Sequence, residues 1–501
     1  MALTFLAGMG ACASLYKLNE SYDLLDLIQD YNSSVFDFDM DVFTSYGESI
    51  SYGFSRITYL TVIALMTFLV SSLLFSAQQV RAQFFNTFFK TIEYYQALTY
   101  YYRGGSYVDS PYFPESVQAR IQVYSLSLIT ALWSKPHYRN GDFQEDMIKN
   151  LCDIAIPGTG FHFGHFAYYK PLVYFFLLVL YPLVAIVAAL NRAIRLTDEE
   201  TGPCAQSDFL GRFSACYLEQ LLTPQDWFSY WRLNCRLATL HSSVTGEEDY
   251  ALEDKWTFLV KAQELKVAVS PSMSTSGIIC KHRNEEGGLG IHAFKNACVG
   301  GDWIIQQTLA NSPFLASMLP DNAPLSTFRV ISASRGGLKS GTGQPVVMDD
   351  IKALSCVWRA GRQNAITDHS AVLFNVDPNT GVIKKGTSNQ HWFQRGFSKV
   401  FTTPWLSKHD YTHHPDTGGI ITGKVVPNIE GIMKLVSEAH LRLNPHVPMC
   451  GWDVALTKDH GMLLLEVNFS CNFFRGMFDK SWYYDFVDDY FLKMEERSQN
   501  I

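Results

Sequence analysis

At 501 residues the chain is longer than one compact domain usually is. Its formal net charge of −8 (40 Lys and Arg against 48 Asp and Glu) excludes general nucleic-acid binding, which needs a basic face. Charged residues are only 18% and aromatics 14%, and the apolar excess is concentrated in two runs.

In chain order, residues 1–55 form an N-terminal segment. MALTFLAGMGACASLYKL lacks the basic start of a signal peptide. Asp37, Asp39, Asp41 and Glu48 imitate a calcium loop, but Val42 stands where its sharp turn needs glycine, which argues against an EF-hand. Ile57–Ser76 carries no charge over 20 residues and predicts a transmembrane helix within 56–78. Pro171–Leu190 predicts a second within 170–191. Each run reaches roughly 30 Å, the thickness of a bilayer's hydrocarbon core. A buried core helix is the competing reading, and the flanking charges do not decide orientation.

Between the runs lies an aromatic-rich region, 79–169. Phe84, Phe85, Phe88 and Phe89 recur there at helical spacing, fitting an interfacial helix or a face packed on neighbouring spans. His162 and His165 lack the further histidine boxes of a di-iron site and read as structural. Residues 192–245 read as a helical linker. Ten scattered cysteines, with no C-x-x-C, fit reduced thiols.

From about Glu247 the texture changes to short apolar runs alternating with Gly-rich turns, as in α+β or α/β domains. Helices are expected at Asp254–Gln263 and Gly431–Leu443. Strands are expected at Val267–Val269, Gly277–Lys281, Trp303–Gln307, Thr327–Ala333, Ala371–Asn375, Gly451–Leu456 and Met462–Val467.

The most informative stretch is GWDVALTKDHGMLLLEVNFSCN, Gly451–Asn472. Thr457–Gly461 is a turn signal between apolar runs, so a hairpin is expected. With Lys458–Gly461 as a four-residue loop, Asp453 falls opposite Glu466, and alternation puts Asn468 on the same face. Nothing basic lies at the hairpin's own paired positions. Buried carboxylates need a positive partner, and this oxygen-rich set suits Mg²⁺. A structure with Asp453 turned away from Glu466, or with a lysine or arginine already occupying that pocket, would end that reading.

These residues carry a resemblance. D…E-x-N on such a hairpin resembles the magnesium-binding end of the ATP-grasp superfamily. HHPDTGGIITGKVVP (413–427) followed by CGWDVALTKDHGMLLLEVN is similar to the sugar-transfer-associated ATP-grasp family, over roughly 246–480. The resemblance implies an α+β ATP-grasp domain at 246–495, two subdomains clasping ATP; the α-helical region with two transmembrane helices before it is read from hydropathy and has no counterpart in the resemblance. It implies Mg²⁺ on Asp453, Glu466 and Asn468. Lys255 in LEDKWTF would face phosphate, as would Lys281 and the Gly287, Gly288, Gly290 loop, whose free N–H groups can cradle an anion. WIIQQTL matches the hinge that meets adenine and places Gln306, Gln307 and Leu309 at the base.

LSTFRVISA resembles the family's T-x-R-V strand, with Arg329 over the phosphates; an ion pair with a nearby carboxylate is its competing reading. Arg359, Arg362 and Asp368 in WRAGRQNAITDH are candidates for the substrate side, as are His414 and Asp416 in HHPDTG. His409 and His413 add histidines, but the spacing fits no common zinc site. D-alanine ligases carry an arginine where Gly451 stands, so the oxyanion donor must come from elsewhere, Arg329 or Arg475.

The expected activity is ATP- and Mg²⁺-dependent ligation of a small-molecule or glycan-linked carboxylate to an amine through an acyl-phosphate. The sequence presents no Ser–His or Cys–His constellation, and such chemistry needs no protein nucleophile. A phosphotransferase acting on a hydroxyl, or a non-catalytic nucleotide-binding membrane scaffold, are the alternatives. Because ATP is cytosolic, an integral membrane protein with its catalytic half toward the cytosol is expected. Two spans would leave 79–169 across the bilayer or folded against it.

Overall fold

The computed structural model describes residues 78–131, 138, 175–195, 209–223, 227–281, 283, 291–388, 411–471, 473 and 476–499. Eight helices of ten residues or more are described. They are α1 (Gln78–Tyr102), α2 (Val117–Ala131), α3 (Tyr181–Arg195), α4 (Phe209–Leu222), α5 (Trp227–Thr245), α6 (Lys255–Glu264), α7 (Ile429–Leu443) and α8 (Lys480–Gln499). The strands are β1 (Gly277–Lys281), β2 (Ile291–Lys295), β3 (Thr327–Ser334), β4 (Ile351–Ala360), β5 (Val372–Val376), β6 (Ile383–Ser388), β7 (Met449–Thr457) and β8 (Gly461–Asn468). The chain divides into two compact units: residues 1–100 with 171–223, and 101–170 with 224–501.

In the first unit α1, α3 and α4 are tied by hydrogen bonds. The Tyr95 hydroxyl donates to the Leu178 carbonyl at 3.0 Å and that of Tyr181 to the Gln220 carbonyl at 2.9 Å. Arg192 pairs with Glu219 at 2.8 Å. On α1, Phe85 and Phe89 stack on one another and remain exposed, while Thr87 is buried.

The membrane reading is corrected here in two ways. The first run lies outside the described residues. Among its described residues the second changes coil type: Phe176–Leu180 is π-helical and Tyr181–Arg195 α-helical. Pro182 supplies no N–H and crowds the preceding turn, which accounts for the widened coil before it. Among the described residues no helix is long and apolar enough to cross a membrane.

The second correction concerns topology. Residues 101–131 belong to the same compact unit as 227–499, where α2, α5 and α8 pack on one another. Arg120 donates to both carboxylate oxygens of Asp488, at 2.5 and 2.7 Å, and the Tyr107 hydroxyl joins them at 2.5 Å. Two crossing spans would have put 101–131 on the opposite side of a bilayer from α8. This packing excludes 101–131 lying across the bilayer, the first of the two expected arrangements, and leaves the second, folded against it, untouched.

The second unit is built on a six-stranded, wholly antiparallel sheet in the order β6-β5-β4-β3-β7-β8. Alternation divides its central strands. Phe328, Val330, Cys356, Trp358, Trp452 and Val454 face a core covered by α7, which buries Ile432, Val436, Ala439 and Leu443 at helical spacing. Arg329, Arg359 and Asp453 fall on the alternate positions. The helix α6 begins where Asp254 caps it, its carboxylate accepting from Thr257 N at 2.8 Å, and it packs beside β8.

The hairpin β1–β2 forms a separate two-stranded sheet with mostly exposed side chains. Among the described residues it stands where a second α+β subdomain is expected. Val267–Val269 and Trp303–Gln307 are not strands but segments making isolated bridges, Val269 to Leu464, Trp303 to Asn296 and Gln306 to Ser272.

Candidate functional site

The site sits where the sheet's register brings charge together. On β7, Asp453 lies opposite Arg329 of β3 on one side and Glu466 of β8 on the other. The hairpin does not reach this alignment in the expected way. Its loop is Lys458–His460, because Thr457 pairs with Gly461, one residue off the expected register. A bulge between Asp453 and Val454, with Leu465 as the extra residue, then restores Asp453 to Glu466. A β-bulge beside a cluster of charge re-aims side chains, and here it sets Glu466 level with Asp453 and Arg329, with Asn468 two positions further along β8, opposite Gly451. Asn468 Nδ2 donates to Glu466 Oε1 at 3.3 Å.

The positive partner comes from neighbouring elements rather than from the hairpin. Arg329 Nε donates to Asp453 Oδ1 at 2.6 Å, and an Arg359 Nη2 proton reaches Asp453 Oδ2 at 3.2 Å. Arg359 also grips Asp368, with Nη2 to Oδ1 at 2.7 Å and Nε to Oδ2 at 3.0 Å. At the edge, Lys255 Nζ lies 3.0 Å from Glu466 Oε2. Three carboxylates and three cations thus form one formally neutral cluster.

Burial raises the Asp453 carboxyl's pKa, but the guanidiniums of Arg329 and Arg359 outweigh it and hold the group below the usual carboxylate range. Burial lowers Arg359's pKa, and the charges of Asp453 and Asp368 reverse that, so it stays firmly protonated. Asp453 is only 3% exposed, whereas the Lys255 side chain is 64% exposed.

The donor chemistry can be tested against Mg²⁺. Glu466 and Asn468 are half-buried hard-oxygen donors on one face, Glu466 paired with the largely exposed Lys255; they fit. Asp453 fits less well, because each of its oxygens already accepts from a guanidinium. It can join a cation only through its second lone pairs. Arg329 therefore realises the ion pair that was its competing reading. Among the described residues no group of three His, Cys, Asp or Glu is placed to hold a metal.

Of the other expected residues, Lys281 ends β1 on the exposed hairpin. Gln306 and Gln307 follow it in the bridged segment, Gln306 Nε2 donating to Ser270 Oγ at 2.5 Å and Gln307 N to the Pro271 carbonyl. Leu309 is half-buried nearby in the chain. Gly287, Gly288, Gly290 and Arg475 lie outside the described residues. Arg362, His414 and Asp416 form a separate latch. Arg362 donates twice to Asp416, at 2.9 and 2.7 Å, and buried His414 Nε2 meets the Gly361 carbonyl at 3.0 Å.

Sequence reasoning missed Thr327, whose hydroxyl joins Arg359 and Asp368. The available signal was its position two residues before Arg329, on the same strand face. It also missed why Gly451 is glycine. A Cβ there would stand 2.6 Å from Cys471 Cβ and 3.3 Å from Arg329 Nη1. The arginine crosses β7 at that point. A Ser–His contact does exist: Ser332 Oγ lies 2.7 Å from His440 Nδ1, with Cys450 Sγ 3.5 Å from Nε2. All three are fully buried, and burial lowers the His440 pKa to about 4, so this is core and not a nucleophile.

The sheet carries this charged patch on one face and a helix-covered core on the other, an α+β arrangement. Residues 295–475 match the family model described as sugar-transfer associated ATP-grasp, and the likeness is confined to that part of the chain. No curated protein matches the chain.

Proposed function

We propose that the sheet unit joins a carboxylate to an amine at the expense of ATP. The carrying observation is the convergence of Lys255, Arg329 and Arg359 with Glu466 and Asn468 on one patch of an ATP-grasp sheet. Mg²⁺, when bound at Glu466 and Asn468 with a share of Asp453, would neutralise phosphate charge and polarise the transferred phosphoryl group. Lys255, on its flexible stem, leaves Glu466 for a phosphate oxygen. Arg329 and Arg359, fixed by Asp453, supply donors that need no reorganisation. A substrate carboxylate oxygen attacks the γ-phosphorus and ADP leaves. An amine nitrogen then attacks the acyl carbon, inorganic phosphate departs, and the nitrogen loses its proton. The family description supports an acid or acceptor tied to sugars.

A second reading, a non-catalytic nucleotide-binding scaffold, is favoured by one observation: both oxygens of Asp453 are already bonded to arginine. Incubating the purified chain with ATP, Mg²⁺ and panels of acids and amines, following ADP release, separates the readings. Amine-dependent turnover supports the ligase, and a phosphorylated alcohol points to the phosphotransferase. Nucleotide binding without turnover points to the scaffold. Unchanged turnover in Glu466→Gln refutes the metal role.

We further propose that membrane attachment rests on the 57–76 run alone, with the sheet unit on the ATP-containing side. Leu65→Asp with Leu69→Asp should release the chain from alkali-washed membranes; retention in the pellet counts against it.

A further inference from the structure

Arg359 is held by more than an ion pair. Its Nε–H is shared between Thr327 Oγ1 at 2.9 Å and Asp368 Oδ2 at 3.0 Å, while Nη2 bonds Asp368 Oδ1 and Asp453 Oδ2. Thr327 Oγ1 in turn donates to Asp368 Oδ2 at 2.5 Å, closing a ring. Thr327 is 3% exposed and Asp368 9% exposed, yet Arg359 keeps a partly open side chain. Its Nη1 has no partner among the described residues. An arginine needs one carboxylate for neutrality; a carboxylate plus a hydroxyl used as both acceptor and donor fixes the plane of the guanidinium as well.

We propose that Thr327 and Asp368 are positioning residues that lock Arg359 with its Nη1 edge turned toward the oxyanion of a bound ligand. This rests on reading the patch as an anion site. The shared chemistry is a planar donor pair meeting a phosphate or a carboxylate, and two probes distinguish the sources: Mg²⁺ with a non-hydrolysable ATP analogue, and acetate.

The test uses the full chain carrying ¹⁵N-arginine, with the Arg359 Nε–H resonance assigned by its loss in Arg359→Lys. In the unaltered protein that signal should be protected from exchange with water. Thr327→Ser keeps the hydroxyl and should keep the protection, while the isosteric Thr327→Val and Asp368→Asn should lose it. Circular dichroism should show that the fold is retained. Analogue binding should weaken about tenfold in Thr327→Val and stay within about twofold in Thr327→Ser. Serine failing as valine does would show a packing role and overturn the proposal, as would a signal unmoved by both probes. A response to acetate but not to the analogue would uphold the positioning role and defeat the nucleotide reading.

Discussion

Replacing Asp453 with asparagine gives the sharpest test of the charged cluster. The carboxylate is buried and receives hydrogen bonds from two guanidiniums, at 2.6 and 3.2 Å. Asparagine keeps the shape but removes the negative charge that Arg329 and Arg359 share. Breaking a buried ion pair from one side costs about 3–5 kcal/mol. For a domain of this size that corresponds to a fall in melting temperature on the order of 10 °C, measurable by differential scanning calorimetry. The pH dependence has a defined sign. The folded pKa of Asp453 is depressed, so its contribution is present above the unfolded value of about 4. It disappears as pH falls through the lower, folded value. The gap between the unaltered protein and Asp453→Asn should therefore narrow below about pH 4. A melting temperature within 1–2 °C of the unaltered protein at pH 7, on the order of the change for an exposed pair, would refute the clamp.

Three further outcomes are expected. Glu466→Gln should abolish the Mg²⁺-dependent part of nucleotide affinity while changing stability by less than about 1 kcal/mol, since its partner Lys255 is largely exposed; titration of a fluorescent ATP analogue with and without Mg²⁺ reads both. Gly451→Ala places a methyl 2.6 Å from Cys471 Cβ and should destabilise by about 1–3 kcal/mol, seen in urea unfolding. Asp416→Asn should cost about 1 kcal/mol at pH 7. The hydrogen bonds from Arg362 bring the Asp416 pKa down to about 2, so the unaltered protein's advantage should vanish between about pH 4 and pH 2 on acid titration.

Alternation and turn chemistry made much of the sheet unit readable in advance. Thr327–Ala333, Gly451–Leu456 and Met462–Val467 are strands because apolar, β-branched runs fit a pleated surface, and α7 shows its buried stripe in Ile432, Val436, Ala439 and Leu443. The pairing of Asp453 with Glu466 was expected from a four-residue loop. It is reached through a three-residue loop and a bulge, two departures that cancel. A bulge has no local signature in MLLLEVN, because all its leucines are equally apolar.

What the residues determined by themselves was composition of charge, strand periodicity and the convergence of Asp453, Glu466 and Asn468, since these depend on neighbours within a few positions. Tertiary structure alone decided what neutralises them: Arg329, Arg359 and Lys255 arrive from 124, 94 and 211 residues away in sequence, by strand order and helix packing. It also decided that 101–131 packs with α8, which hydropathy could not show because a run's length reports its greasiness and not its company.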